Sequence, residues 1–378
     1  MTEAPPLARM QSHVDAALAG LSSRSGVVLV QQLPTPGAPE AAADRWRVLS
    51  LVGGTLADDQ LAVAARTAWL RGEPGLANVE DGRSHFVDPL LPPPRLVVAG
   101  GGHIGRALAA LGHWMGWEAL VVDSRPDFAG SLGLPGTAAI RCGEYATVFA
   151  ELPLDPWTSV VAVTSSYQDD ARVLAALAAR PEAAVLPYVG VIGSTRRLRA
   201  LRDAVAAAGA PPAFLAALRA PIGLDVGARS PRELALAIAT EMLTIERGGS
   251  GLPVRELPAG QLPAKSRRHG TEAQDPSLWR SLADALARGE PVAMACVVEA
   301  RGSVPRRPGA RMLVHADGRI QGSTGGGVGE GLVLAQALEA LRCGLPRIVR
   351  VDLTQEVGSG QAGVCGGYQQ VLVEPLNT

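Results

Sequence analysis

A glycine-rich turn between two short apolar stretches constrains the fold of this chain more than any other feature. Residues 95–99 have the composition of a buried strand, residues 100–105 read GGGHIG, and a helix-forming stretch follows over residues 106–115. A second apolar stretch, 118–122, ends at Asp123. A strand, a G-x-G-x-x-G turn, a helix, a second strand and a terminal acid together predict a Rossmann-like βαβ unit.

The residues of this turn have separate predicted roles. Gly100 allows the tight turn, Gly102 lets a phosphate approach the backbone, and Gly105 lets the helix pack closely on the strand. The carboxylate of Asp123 suits the hydroxyl pair of a ribose. His103 has two interpretations: a functional one, as a ligand contact or an acid–base group, and a structural one, as a half-exposed turn residue. Its place at the end of a strand favours the functional interpretation. The same glycines also serve a plain βαβ unit, so a bound nucleotide is one of two interpretations.

The middle of the chain contains a second candidate anion site. Strands are predicted over residues 159–164 and 184–191, and the latter opens into Gly193, Ser194 and an arginine-rich helix. Arg196 and Arg197 are interpreted either as part of a solvated face or as facing the ligand crevice. Their position in the first helical turn favours the crevice.

Two breaks in composition divide the chain of 378 residues, a length that suits two or three domains. The first is a proline-rich connector over 88–94, and the second is a stretch rich in glycine, proline and basic residues. They predict a first segment (1–91), a Rossmann-like domain (92–247), a linker (248–274) and a last segment (275–378).

The first and last segments show the same order of predicted elements. Each has a helix, strands, a glycine pair or triplet, a second helix and closing strands, and residues 85–90 (HFVDPL) correspond to 371–376 (VLVEPL). We interpret the first segment as a degenerate duplicate that keeps the fold but not the chemistry, with coincidence as the alternative. The predicted fold class is α/β, with a central doubly wound parallel sheet flanked by two small α/β segments.

The last segment carries an arginine-rich loop, residues 301–311, which reads RGSVPRRPGAR. Prolines stiffen this loop, and guanidinium groups suit phosphate and carboxylate, so the loop predicts an anion clamp. Its candidate ligand residues are Ser303, Arg306, Arg307 and Arg311. A second, backbone anion site is predicted at Gly325, Gly326 and Gly327, where close packing of sheet and helix is a compatible alternative.

One cysteine stands out. Cys365 has glycine neighbours, so its thiol is predicted to be accessible and close to N–H groups that lower the pKa of a thiol. Because a thiolate binds soft metals, Cys365 is the candidate metal ligand. Cys296 and Cys343 are interpreted as structural, and Cys142 is left undecided.

Charge and composition exclude several classes of protein. Lysine and arginine total 35 against 36 acidic residues, a formal net charge of -1, and aromatic residues are only 4%. Nucleic acid and anionic membranes are therefore not expected as partners held by bulk charge. The chain shows no apolar run long enough to span a membrane, no leader pattern and scattered cysteines, so a cytoplasmic protein is expected.

Taken together, these motifs resemble the XdhC/CoxI family, accessory proteins of molybdenum hydroxylases. The resemblance rests on residues 100–105, 121–126, 188–194, 221–229, 302–312, 322–327 and 364–367. It implies a carrier, not an enzyme, that binds molybdenum cofactor as molybdopterin or its dinucleotide form. The family protects this cofactor during sulfuration and delivers it to an apo molybdenum hydroxylase, of the xanthine dehydrogenase or carbon monoxide dehydrogenase type. A homodimer is expected. A separate nucleotide in the Rossmann-like domain and a cysteine desulfurase partner are open options.

Three features depart from the family pattern. The intact CoxI-like segment follows the Rossmann-like domain, Val328 stands where many members have Cys or Ala, and Ser165 stands where members often have His. The alternative function is an NAD(P)-dependent oxidoreductase. For that function the chain has the nucleotide fold but no Ser/Tyr/Lys set, since its only lysine, Lys265, lies in the linker.

Overall fold

The computed structural model describes residues 5–34, 42–50, 60–79, 82–126, 139–256, 276–353 and 366–376. The chain divides into two compact units, of which one contains residues 93–267. The other combines residues 1–92 with 268–378, so the two outer segments fold together as a single unit. Within the described residues, no helix has the length and apolar character needed to cross a membrane.

The first segment is a four-stranded antiparallel sheet with a helix on each face. Its helices are α1 (Pro6–Ser22), α2 (Ala42–Arg45) and α3 (Gln60–Arg71), and its strands are β1 (Val27–Gln32), β2 (Trp46–Leu49), β3 (Gly75–Asn78) and β4 (Ser84–Leu90). The strand order is β2-β1-β4-β3. Alternate residues of β1 face opposite ways, so Leu29 packs with α1 and Val28 packs with α3.

The Rossmann-like unit is a five-stranded parallel sheet between two layers of helices. Its strands are β5 (Arg95–Ala99), β6 (Glu118–Asp123), β7 (Ala139–Cys142), β8 (Thr158–Ala162) and β9 (Tyr188–Val191). Its helices are α4 (His103–Trp114), α5 (Tyr145–Glu151), α6 (Tyr167–Ala178), α7 (Thr195–Ala207), α8 (Pro212–Ala217) and α9 (Pro231–Arg247). The predicted strand over 184–191 starts only at Tyr188, because Pro181–Val185 forms a 3-10 turn.

The strand order β7-β6-β5-β8-β9 reverses between β5 and β8, which creates a topological switch point. One face of the sheet packs on α5, α6 and α7 through residues such as Phe149 and Leu174. The other face packs on α4 and α9 through Leu108 and Ile238. The predicted doubly wound α/β fold is thereby confirmed.

The last segment is a five-stranded antiparallel sheet, again with a helix on each face. Its helices are α10 (Pro276–Ala287) and α11 (Gly327–Cys343), and its strands are β10 (Val292–Arg301), β11 (Arg311–His315), β12 (Ile320–Gly322), β13 (Arg347–Asp352) and β14 (Tyr368–Pro375). The order is β12-β11-β10-β14-β13. Without the edge strand β12, this is the strand order of the first segment.

The pairing registers of the two sheets also correspond. The cross-strand pairs Leu29–Asp88 and Gln31–Trp46 of the first sheet match Met294–Glu374 and Cys296–Arg311 of the last. Asp88 therefore occupies the position of Glu374, and Trp46 occupies that of Arg311. Matching order and register are the pattern that a duplicated fold produces, and the duplication itself stays an interpretation.

One apolar core joins the two outer segments. Helices α1 and α10 contact each other, and their residues Val14 and Leu282 belong to the same buried cluster. Trp46 and Trp279 meet edge to face in this cluster, with ring centroids 6.2 Å apart. Because each segment covers apolar surface of the other, the two segments stabilise each other.

Candidate functional site

Three loops of the last segment meet at one end of its sheet. The loop after β10 contacts the glycine turn before α11, since a Cβ on Gly325 would lie 2.7 Å from Cγ of Pro305. It also contacts the start of β14, since a Cβ on Gly367 would lie 2.6 Å from the carbonyl oxygen of Ser303. Side chains at these glycines would push the loops apart. The structure thus brings the arginine loop, the triple glycine and the Gly366-Gly367 motif together.

The outer part of the arginine loop carries three of the predicted ligand residues. Ser303 and Arg307 are exposed, and Arg306 is half-buried. The backbone carbonyl of Arg306 accepts a hydrogen bond of 2.7 Å from the side-chain amide of Gln369, which ties the loop to β14. The loop therefore presents these residues from a fixed backbone.

Arg311 differs from its prediction as part of the clamp. Its side chain is 0% exposed and forms an ion pair with Asp88 of the first segment, with 2.5 Å between nitrogen and oxygen. Its guanidinium carbon also lies 5.4 Å from the ring centroid of Trp279. A side chain held in this interior cannot contact a ligand, so the prediction for Arg311 was wrong. The reason is that Arg311 begins β11 on the face of the sheet that is covered by the first segment.

The triple-glycine turn already binds an anion that belongs to the protein. A carboxylate oxygen of Glu330 accepts hydrogen bonds from the N–H groups of Thr324 (2.9 Å) and Gly326 (3.2 Å) and from the Ser323 hydroxyl (2.6 Å). Burial would raise the pKa of Glu330, but these hydrogen bonds outweigh it and lower the pKa. The expected backbone anion site is therefore corrected at Gly326, whose N–H is engaged by Glu330.

Space for a ligand nevertheless exists beside this turn. A Cβ added to Gly326 or Gly327 would have nothing within 4 Å, whereas Gly325 is closed off by Pro305. Gly325 is therefore required for packing against the arginine loop, and the backbone of Gly326 and Gly327 borders open space beside that loop. The packing at Gly325 is between two loops and not the close packing of sheet and helix that was the alternative expectation.

The sequence reading missed a stack of charged and aromatic side chains beside the three loops. The guanidinium carbons of Arg301 and Arg350 lie 5.9 Å and 4.6 Å from the ring centroid of Tyr368. Such a surface attracts anions and planar rings. The only signal was that Tyr368 directly follows Gly367, and the position of Arg350 depended on the register between β13 and β14.

The Rossmann-like unit contains a second candidate site, at the switch point. A Cβ on Gly105 would lie 1.9 Å from the carbonyl oxygen of Gly100, and one on Gly100 would lie 2.6 Å from the carbonyl oxygen of Val163. A Cβ on Gly102 would have nothing within 4 Å. Gly100 and Gly105 are therefore required for close packing, while Gly102 faces open space. His103 is exposed at the first position of α4.

Asp123 is placed differently from its predicted role as a ribose ligand. It is 0% exposed, and its oxygens accept hydrogen bonds from the N–H of Gly101 (2.7 Å), the N–H of Arg125 (3.0 Å) and the Arg125 guanidinium (2.9 and 2.8 Å). Burial would raise the pKa of Asp123, but the hydrogen bonds from Arg125 and Gly101 outweigh it and lower the pKa. With its oxygens so engaged, the carboxylate fixes the glycine loop, and this corrects the ribose assignment.

The predicted site residues that follow β9 have different environments. Ser194 is the N-cap of α7, Gly193 precedes it, and Arg196 is exposed in the first turn. Arg197, which was expected with Arg196 to face the crevice, forms an ion pair with the fully buried Asp170 at 2.5 Å. Burial raises the pKa of Asp170 despite this partner.

Comparison with known proteins identifies both units. The XdhC Rossmann domain profile matches residues 96–242, and the XdhC and CoxI family profile matches residues 285–352. Together the matches cover more than half of the chain. The chain belongs to the XdhC and CoxI family. Both candidate sites of this XdhC/CoxI protein lie mainly within the matched ranges, and the first segment lies outside them.

Individual relatives are more distant. "Uncharacterized protein YqeB" of Escherichia coli is 27% identical over 159 residues, which are 42% of this chain and 28% of that protein. A probable xanthine dehydrogenase subunit of Bacillus subtilis is 27% identical over 158 residues, 42% of this chain and 44% of that protein. The matches thus span less than half the length of either relative. A crystal structure of a xanthine dehydrogenase from Bacillus halodurans matches 62% of this chain and 63% of its own, with 22% identity and a TM-score of 0.47.

The cysteines of this XdhC/CoxI protein differ in environment. Cys365, the predicted metal ligand, lies outside the described residues, and its neighbour Gly366 packs against Gly302. Cys296 is buried, which raises the pKa of its thiol to about 12 and agrees with a structural role. Cys343 is exposed, and a hydrogen bond from the Arg347 guanidinium lowers the pKa of its thiol. Across the described ranges, no group of three His, Cys, Asp or Glu side chains could hold a metal ion.

Proposed function

We propose that this protein binds molybdenum cofactor and delivers it, after sulfuration, to an apo molybdenum hydroxylase of the xanthine dehydrogenase or carbon monoxide dehydrogenase type. The observation that carries the proposal is the meeting of the arginine loop, the triple glycine and the Gly366-Gly367 motif at one end of one sheet. Membership of the XdhC and CoxI family supports it, as does the relative named as a probable xanthine dehydrogenase component.

The residues at this end of the sheet suit the parts of such a cargo. Arg306 and Arg307 would bind its phosphate, because guanidinium groups form charge-assisted hydrogen bonds to phosphate oxygens. Ser303 would add a hydroxyl donor. Cys365, which directly precedes Gly366, would supply a soft thiolate ligand for molybdenum. We propose that these residues hold and orient the cargo, so that the protein acts as a carrier and not as an enzyme.

The glycine loop of the Rossmann-like unit would hold a nucleotide, either a separate one or the nucleotide part of a dinucleotide cofactor. Support comes from the open space at Gly102 and from the start of α4 at His103, where unpaired N–H groups attract an anion. We further propose a cytoplasmic homodimer, with a cysteine desulfurase as the second partner. The desulfurase would supply the sulfur that the carried cofactor receives.

The test is anaerobic purification of the full chain from a molybdenum-replete host, followed by molybdenum and pterin analysis. We expect pterin near one equivalent per chain, and its loss in Cys365→Ala. Cys343→Ala is the matched control, since Cys343 ends α11, a helix of 17 residues that begins at the glycine turn. It therefore lies about 25 Å away from that turn.

The arginine loop is tested in the same preparation. The double variant Arg306→Ala/Arg307→Ala should retain at most about a tenth of the cofactor, because each charge-assisted hydrogen bond contributes about 1.5–3 kcal/mol. Arg319→Ala, in the turn between β11 and β12, removes an exposed guanidinium away from the three loops. Bound NAD(H) with turnover of an alcohol or hydroxy acid, and no pterin, would refute the carrier and support the oxidoreductase.

A further inference from the structure

Two buried ion pairs join the outer segments in a reciprocal arrangement. Arg45 of the first segment pairs with Glu374 of the last at 2.9 Å, and both side chains are 1% exposed. Asp88 of the first segment pairs with Arg311 of the last, and these side chains are 3% and 0% exposed. Asp88 and Glu374 occupy equivalent positions in their sheets, so each segment places one carboxylate against a cation of the other.

The pair at Asp88 contacts the arginine loop directly. Nη1 of Arg311, which binds Asp88, also donates to the carbonyl oxygen of Gly309 at 3.1 Å. Gly309 has a φ of +92° and lies directly on the first segment. A Cβ there would lie 3.2 Å from Cγ of Pro74 and 3.5 Å from Oδ1 of Asp88.

Gly309 is also where the loop returns to the sheet. Its N–H donates to the carbonyl oxygen of Val297 at 2.8 Å, and the next N–H, of Ala310, donates to the carbonyl oxygen of Arg307 at 3.2 Å. The carbonyl of Arg307 is thus hydrogen-bonded to Ala310, the residue that follows the glycine held by Arg311. A displacement of Gly309 would therefore move the backbone that carries the guanidinium groups of Arg306 and Arg307.

The equivalent carboxylate, Glu374, reaches the loop only indirectly among the described residues, because Gln31, which donates to Glu374, also accepts from the Arg311 guanidinium at 3.5 Å. Glu374 accepts from the Arg45 guanidinium (3.1 and 2.9 Å), from Gln31 (3.0 Å) and from the indole N–H of Trp46 (2.9 Å). These donors all belong to the first segment and lie in the interior. The two pairs therefore have comparable burial, but they differ in their connection to the loop.

We propose that Asp88 is a positioning residue, which through Arg311 and Gly309 holds the arginine loop in its ligand-binding geometry. The first segment, which lacks the loop and the cysteine itself, thus acts on the site of the last segment. A buried ion pair is a weak source of stability but fixes the groups that it joins. The inference rests on the proposed function for the identity of the ligand, and on the contacts of Gly309 for the positioning.

The experiment compares Asp88→Asn with its matched control Glu374→Gln in the full chain. Hydrogen exchange is measured for the hydrogen-bonded loop amides of Gly309 and Ala310, and for α10 as a reference for overall stability. We expect Asp88→Asn to speed loop exchange at least about tenfold more than α10 exchange. Glu374→Gln should speed α10 exchange and leave loop exchange, which occurs by local opening, nearly unchanged. Asp88→Glu keeps the charge and should restore most of the protection.

A second variant covers the case in which Asp88→Asn does not fold. Asp88→Leu/Arg311→Met replaces the whole pair by apolar side chains, which often restores stability. It should fold but keep the loop unprotected. Equal loop protection in this variant and the wild type would overturn the inference, and so would equal loosening by Asp88→Asn and Glu374→Gln.

The pterin retained after gel filtration provides a second readout. We expect at least about a tenfold loss in Asp88→Asn relative to Glu374→Gln. A loosened loop with unchanged pterin retention would overturn the positioning role. If the wild type holds no pterin, the proposed function fails, and the exchange comparison alone then supports or overturns the positioning of the loop.

Discussion

Replacing Glu374 by Gln tests how the two outer segments are held together. The carboxylate is buried and accepts four hydrogen bonds, two of them from the guanidinium of Arg45. The amide keeps the shape but removes the charge, and it turns one acceptor into a donor that faces other donors. Arg45 would then be a buried cation without its counter-charge.

The expected cost follows from that unpaired charge. Breaking one side of a buried ion pair costs about 3–5 kcal/mol, because the remaining ion keeps its desolvation penalty. Adding a separate value for each of the four hydrogen bonds would count the same desolvation several times. Since a domain is stable by only about 5–15 kcal/mol, this single change should remove a large part of the stability of the unit.

Hydrogen exchange of the α10 amides in the full chain measures this cost, because α10 lies in the core shared by both segments. A loss of about 3–5 kcal/mol corresponds to exchange that is roughly 150- to 5000-fold faster. Glu290→Gln, in a surface pair with Arg288, is the control and should leave α10 unchanged. A loss below about 1 kcal/mol for Glu374→Gln would refute the view that this pair is desolvated and essential to the interface.

Three further predictions concern single residues. Gly105→Ala should prevent stable folding of the Rossmann-like unit, measured by thermal unfolding, since its Cβ would lie 1.9 Å from the carbonyl oxygen of Gly100; a variant of unchanged stability would contradict this packing. Glu330→Gln should destabilise the start of α11 by about 1–2 kcal/mol at pH 7. Because the folded pKa of Glu330 is lowered, the stability that its carboxylate adds is complete above about pH 5 and is lost as the pH falls through the folded pKa. The unfolding free energies of the wild type and Glu330→Gln, measured by urea titration, should therefore converge in acid. A difference that stays constant with pH would refute this assignment. Cys343 should react with a thiol reagent at neutral pH well before Cys296. The Arg347 guanidinium lowers the pKa of the Cys343 thiol, whereas burial raises the pKa of the Cys296 thiol to about 12. Peptide mapping after brief labelling measures the order of reaction, and the reverse order would contradict these environments.

Local patterns predicted the Rossmann-like fold because its diagnostic strand, glycine turn and helix are close in sequence. The strand, turn and helix around Gly102 lie within about 20 residues, and periodicity and glycine spacing report such local structure directly. The element order of the outer segments was also readable, down to their matching ends. The stack around Tyr368 was not, because it depends on pairing between β13 and β14.

Where the site predictions failed, the cause was a partner that the pattern could not show. Arginine in a loop of arginines indicates an anion site, but the anion bound by Arg311 is Asp88, which is 223 residues away. The glycine turn does bind a carboxylate, and it is Glu330 of the same chain. Asp123 ends its strand as expected, but its carboxylate accepts hydrogen bonds from Gly101 and Arg125.

The sequence by itself determined the fold class, indicated the family and supplied the residue types from which the proposed cargo site is built. Those properties follow from local spacing and from side-chain chemistry, which do not depend on distant contacts. Only the tertiary structure decided which charged side chains are exposed and which are paired with each other in the protein interior. Burial and pairing depend on which face of a strand meets another segment, and for Arg311 and Glu374 that segment lies at the other end of the chain.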